Sequence, residues 1–130
     1  MPPTGPQERL DEILREDLRY APGAYEFTRQ AVSYASDVVY ARGSHVSGKE
    51  LLEAIRQFAL ERYGLLTATV FESWGVKTTE DFGEIVFHLV DAGLLSKTEE
   101  DTKGDFRSVY SFDEVFSSRR YWETVLDSCL

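Results

Sequence analysis

The sequence predicts an α+β fold that is mostly helical, with five helices followed by a C-terminal β-hairpin. Apolar residues recur at helical spacing through residues 7–92, and the pattern changes to alternation beyond Gly93. The chain has 130 residues, of which 42% are hydrophobic and 13% aromatic, and this is enough for one ordinary core. We therefore predict a single domain over residues 7–130, preceded by a disordered leader over residues 1–6.

The first two predicted helices form an N-terminal extension over residues 7–43. The first is expected from about Gln7 to Arg19, because apolar residues recur there at intervals of three and four. Pro22-Gly23 ends it. The second runs from Ala24 to about Tyr40 by the same criterion.

The third predicted helix has the strongest local signal in the chain. Ser47 and Glu50 have the spacing of a capping box, in which the serine side chain accepts the N–H of the glutamate and the glutamate side chain accepts the N–H of the serine. Gly64 is a suitable C-terminal cap. The helix is therefore expected from residue 48 to residue 63.

A short fourth helix is expected over about residues 66–74, and a fifth begins after Thr78, where acidic residues favour a helix N-terminus. Beyond Gly93 we expect strands at residues 95–99 and 106–112, joined by a turn at residues 101–104. Residues 113–130 form a C-terminal segment with one further helical turn at its start.

Three helices followed by a hairpin resemble a winged-helix domain. The junction Leu89-Val-Asp-Ala-Gly-Leu-Leu95 resembles the passage from recognition helix to wing in that fold. The resemblance covers residues 46–112 and implies a winged-helix-like core, with the first two helices packed against it.

The chain also resembles an uncharacterised family of small bacterial proteins found mainly in planctomycetes and verrucomicrobia. The matching residues are spread along most of the chain and include Ala24-Tyr-Glu-Phe27, His45-Val-Ser-Gly48, Thr79-Glu-Asp-Phe-Gly-Glu-Ile-Val86 and Lys97-Thr-Glu-Glu-Asp101. The resemblance implies a bacterial source but supplies no activity, cofactor or catalytic residue.

Charge and composition narrow the expected partners. The formal net charge is −9, and residues 78–105 hold eight acidic and two basic side chains, excluding histidine. Such a surface repels nucleic acid phosphates, so DNA binding through the fifth helix and wing is disfavoured. No apolar run approaches the ~18 residues of a membrane span. With one cysteine, the chain is expected to be a cytoplasmic protein.

The leading hypothesis is a non-enzymatic protein-interaction module that binds a basic partner surface through an acidic helix and wing. We expect no cofactor. Tyr121 and Trp122 make the C-terminal segment apolar enough to need a partner, and a second copy of the chain, giving a homodimer, is one candidate. The predicted contact residues are Glu80, Glu84, Asp91, Glu99, Glu100, Asp101, Tyr121 and Trp122.

Two other functions stay open at this point. One is a transcription regulator that binds DNA through the second and third helices. The other is a small metal-dependent enzyme or accessory protein that uses His88, four residues after Glu84, and neighbouring carboxylates. The second histidine, His45, precedes the capping box and is expected to hydrogen bond within that turn.

Overall fold

A computed structural model describes residues 5–39, 45–97 and 101–116, together with Leu126. Within these residues the chain forms six α-helices, which are α1 (Pro6–Glu16), α2 (Pro22–Tyr34), α3 (Gly48–Tyr63), α4 (Thr67–Ser73), α5 (Thr79–Asp91) and α6 (Phe112–Val115). A π-helical segment, Ala35–Val39, continues α2, and 3₁₀ turns occupy Gly64–Leu66 and Lys103–Phe106. No helix in the described ranges is long and apolar enough to cross a membrane.

The predicted α+β class is wrong, because no strand occurs in the described part of the chain. The C-terminal β-hairpin, and with it the wing of the winged-helix-like core, is therefore not formed there. Residues 95–97 adopt no regular structure, and the expected turn and second strand instead contain the 3₁₀ turn. That turn begins where the Thr102 N–H donates to the Asp105 carboxylate over 3.0 Å.

Side chains of α5 make hydrogen bonds to residues 106–109 that a partner strand would make in a hairpin. The Thr79 hydroxyl donates to the carbonyl oxygen of Phe106 over 2.6 Å and accepts the N–H of Val109 over 3.2 Å. The Glu80 carboxylate accepts the N–H of Ser108 over 2.7 Å. Ser108 has a φ of 48°, in the left-handed region, which interrupts an extended run. The alternation of this segment therefore reflects its contacts with helices.

The capping signals of the third predicted helix are confirmed. The Ser47 side chain accepts the N–H of Glu50 over 3.2 Å, and the Glu50 carboxylate accepts the N–H of Ser47 over 3.0 Å. At the other end, Gly64 has a φ of 52°, which favours glycine over any side-chain-bearing residue. Local signals at both ends therefore fix α3.

The first helix ends earlier than predicted, whereas the second stays helical to Val39 through its π-helical segment. Residue Asp17 is extended, and its carboxylate accepts the N–H of Arg19 over 3.1 Å, so a local turn replaces the last helical residues of α1. The second helix leaves α-geometry at Ala35, and Tyr40 lies outside the described residues.

The core is an aromatic cluster between α2, α3, α4 and α5. The ring of Phe27 lies within 6.3 Å, centroid to centroid, of five other aromatic rings. Such ring pairs add to the free energy gained from burial alone. Trp74 belongs to this cluster. The five rings around Phe27 belong to Phe58, Tyr63, Phe71, Trp74 and Phe82.

Candidate functional site

A cleft of about 400 Å³ lies between the π-helical end of α2, the N-terminus of α3, α5 and residues 95–97 and 101–106. Its volume lies within the range of pockets that hold small ligands or single side chains of a partner. Apolar side chains form most of its walls. They are Val32, Val46, Leu51, Val86, Phe87 and Leu95.

The floor of the cleft is fixed by a close approach between α3, α5 and Phe106. A Cβ atom added to Gly48 would lie 3.0 Å from the Phe106 ring, and one added to Gly83 would lie 2.9 Å from the Phe106 Cβ atom. The ring is only 3% exposed. Glycine at both positions therefore lets the ring enter between the two helices, and the floor is part of the core.

The π-helical segment supplies one wall. Ser36 and Asp37 line the cleft, while Ala35 is fully buried against the core. A π-helical turn is rare and occurs disproportionately at functional sites, since the wider turn changes which side chains share a face. The cleft thus contains a local distortion of the kind associated with binding.

Acidic side chains outnumber basic ones in the polar lining of the cleft. His45 Nε2 lies 2.8 Å from Asp101 Oδ2, with 40% and 17% of the two side chains exposed. Asp37 and Asp105 also line the cleft, and Lys97 is the lysine in its lining. Three carboxylates against one ammonium give the lining a negative charge.

A second polar cluster ties the end of α1 to α5. The Tyr25 hydroxyl lies 2.8 Å from His88 Nδ1, and His88 Nε2 lies 3.5 Å from Asp17 Oδ2. Arg19 makes a two-pronged contact with Asp17, and its hydrogen bonds lower the pKa of the Asp17 carboxyl to about 2. Burial raises the pKa of the Tyr25 hydroxyl to about 12.

Glu84 and His88, which lie four residues apart on α5, each contact other groups. Glu84 Oε2 lies 3.2 Å from Lys103 Nζ and 3.5 Å from Arg19, while His88 contacts Tyr25 and Asp17. In the described ranges, no group of three or more His, Cys, Asp or Glu residues has an arrangement that could hold a metal ion. The second cluster acts as a connection between elements.

The structure describes four of the predicted acidic contact residues, and their surroundings differ. Glu80 binds the N–H of Ser108, Glu84 binds two cations, Asp91 is exposed, and Asp101 lies in the cleft beside His45. The remaining four lie outside the described residues. They are Glu99, Glu100, Tyr121 and Trp122.

Sequence reasoning identified Asp101 but missed the cleft around it. His45 was expected to hydrogen bond within its own turn, whereas it contacts a residue beyond α5. Asp37 carries no motif, and the apolar wall residues look like ordinary core positions in the sequence. Only the tertiary packing brings these groups together.

Comparisons with protein-family models, with curated proteins and with solved structures found no match to this chain. The resemblance to a planctomycete and verrucomicrobial family therefore stays a prediction.

Proposed function

We propose that the protein is a non-catalytic recognition domain for another protein, and that the cleft receives an apolar side chain of the partner flanked by basic residues. The observation that carries the proposal is that one cavity of about 400 Å³ is lined both by apolar side chains and by three aspartates. The partner is still expected to present a basic surface, and its main contact is proposed to lie in the cleft.

The apolar walls supply the affinity in this proposal. Burying a Leu, Ile or Phe side chain completely gains about 1.5–3 kcal/mol relative to leaving it in water. Phe106 at the floor is held by the core, so the partner meets a surface that needs little rearrangement on this side. A single apolar anchor in such a cavity is typical of the energetic centre of an interface.

Charge complementarity supplies the choice of partner. Asp37, Asp101 and Asp105 face the cleft, and the chain as a whole has a formal charge of −9. These charges attract a basic segment, and the attraction should weaken as salt is added. Glu80 and Glu84 already bind groups within the protein, so we assign them a smaller contribution to partner binding.

The test uses a set of blocked hexapeptides and ¹⁵N–¹H correlation spectra of the full-length protein. Each peptide carries one Leu or Phe, with Arg at the neighbouring positions in one series and Glu in a second. A third series has Ala in place of the anchor. We expect only the peptides with both an anchor and Arg to shift the amide signals of Gly48, Leu51 and Phe87.

Two variants locate the binding site. Ser33→Trp places a large ring at the edge of the cleft and should abolish the shifts, whereas Thr69→Trp, at an exposed position of α4 outside the cleft, should leave them unchanged. The proposal is wrong if no peptide shifts the cleft amides, or if the Glu series binds as well as the Arg series.

A further inference from the structure

The contact between His45 and Asp101 joins two segments that border the cleft. His45 lies two residues before Ser47, the first residue of the capping box of α3, and Asp101 precedes the 3₁₀ turn that carries Phe106. The two side chains are 2.8 Å apart and both line the cavity. A ligand that reaches Asp101 therefore meets a carboxylate that already has an imidazole partner.

Resting on the proposed function, we propose that an arginine or lysine side chain of the bound segment replaces His45 as the partner of Asp101, so that the segment binds more tightly when the imidazole is uncharged. The exchange needs no covalent step. It substitutes one positively charged or hydrogen-bonding partner of the carboxylate for another.

The charges around the pair support this exchange. Asp37 on the π-helical segment and Asp105 on the 3₁₀ turn line the same cavity, while Lys97 is the competing cation after α5. Asp105 also accepts the N–H of Thr102. On the side of α3, Glu50 bonds to the N–H of Ser47. A cation that enters between these groups takes the place of the imidazole beside Asp101.

The partial burial of Asp101 strengthens its interaction with a positively charged partner. Its side chain is 17% exposed, so a charge beside it is screened less than at an open surface. A protonated imidazole competes strongly with an incoming guanidinium for the carboxylate, and a neutral imidazole competes weakly. Histidine is the side chain whose charge responds to pH, so pH is the variable that tests this competition.

The sign of the pH dependence follows from this competition. At low pH the charged His45 holds Asp101, and the incoming cation must break that pair. At higher pH the pair is weaker and the cation binds more readily. By linkage, binding that displaces a charged imidazole must release protons. The affinity of segments without a cation should not rise with pH.

The test compares two forms of the tightest-binding Arg hexapeptide from the series described above. One form keeps arginine, and the other has citrulline, a neutral side chain of nearly the same shape. Calorimetric titrations at pH 5.5 and pH 8.0 should show the arginine form binding more tightly at the higher pH. The citrulline form should bind equally at both.

Three variants test whether the pH dependence arises from His45 and Asp101. His45→Gln should remove the pH dependence, and Asp101→Asn should remove the preference for arginine over citrulline. His88→Gln changes the other of the two histidines, which lies outside the cleft lining, and should leave the pH dependence intact. Far-UV circular dichroism establishes that each variant is folded.

The outcomes separate this inference from the proposed function. If the arginine peptide shifts the cleft amides but its affinity is independent of pH, or if the citrulline form shows the same pH dependence, the exchange at Asp101 is wrong and the cleft remains a binding site. If neither form binds the cleft, the proposed function itself is wrong.

Discussion

Replacing Thr79 with valine tests how residues 106–109 are held without a partner strand. Thr79 is 1% exposed, and its hydroxyl bonds both to the Phe106 carbonyl and to the Val109 N–H. Valine has nearly the same shape and a similar helix propensity, so packing and α5 should persist. The substitution therefore removes two hydrogen bonds and little else.

The expected loss follows from the burial of the two groups that are left without a partner. A typical hydrogen bond contributes about 0.5–1.5 kcal/mol, and an unsatisfied buried group costs about 1–3 kcal/mol. Phe106 is buried, whereas Val109 is half-buried and its N–H can regain water. We therefore expect Thr79→Val to lower the free energy of unfolding by about 2–3 kcal/mol.

Urea unfolding measures the total loss, and amide hydrogen exchange shows where it arises. The amide of Val109 should lose protection more than amides of the core helices. Thr69→Val, at an exposed position of α4, is the matched control and should change stability by less than about 0.5 kcal/mol. A loss below about 0.5 kcal/mol for Thr79→Val, with the Val109 amide still protected, would refute the reasoning.

Two further predictions concern the backbone and the acid stability. Ser108 has a positive φ of 48°, so Ser108→Gly should leave stability unchanged or raise it by up to about 1 kcal/mol, while Ser108→Val should lower it by about 1 kcal/mol or more. Urea midpoints that order the two variants the other way would contradict this. The folded-state pKa of Asp17 is lowered from 3.8 to about 2, so its stabilising contribution is present above pH 3.8 and is lost as the pH falls towards 2. Asp17→Asn should therefore flatten the stability curve between pH 4 and 2, and an unchanged slope in urea unfolding across that range would argue against the contact with Arg19.

The parts of the fold that sequence predicted are those fixed by neighbouring residues. The capping box of Ser47 and Glu50 needs only a spacing of three, and the helix after Thr78 begins where its N–H donates to Asp81. Helical spacing of apolar residues likewise survives in the core faces of α3 and α5. Local chemistry determines these elements whatever the rest of the chain does.

The hairpin was predicted wrongly because alternation does not reveal the hydrogen-bond partner. The segment after Phe106 alternates like a strand, yet its backbone groups bond to Thr79 and Glu80 on α5. The candidate site failed to emerge for the same reason. His45 and Asp101 were each noted, but no local pattern relates residues that meet only after α3 and α5 have packed.

The ring of Phe106 is both the floor of the cleft and a wedge between Gly48 and Gly83. A group bound in the cavity cannot displace the Phe106 ring without separating α3 from α5. The depth of the cavity therefore depends on the global stability of the domain. His45 and Asp101, which also line the cleft, are 40% and 17% exposed. Phe106 therefore limits the size of the group that the cleft accepts, whereas the charged side chains of the lining select for the charge of the neighbouring residues.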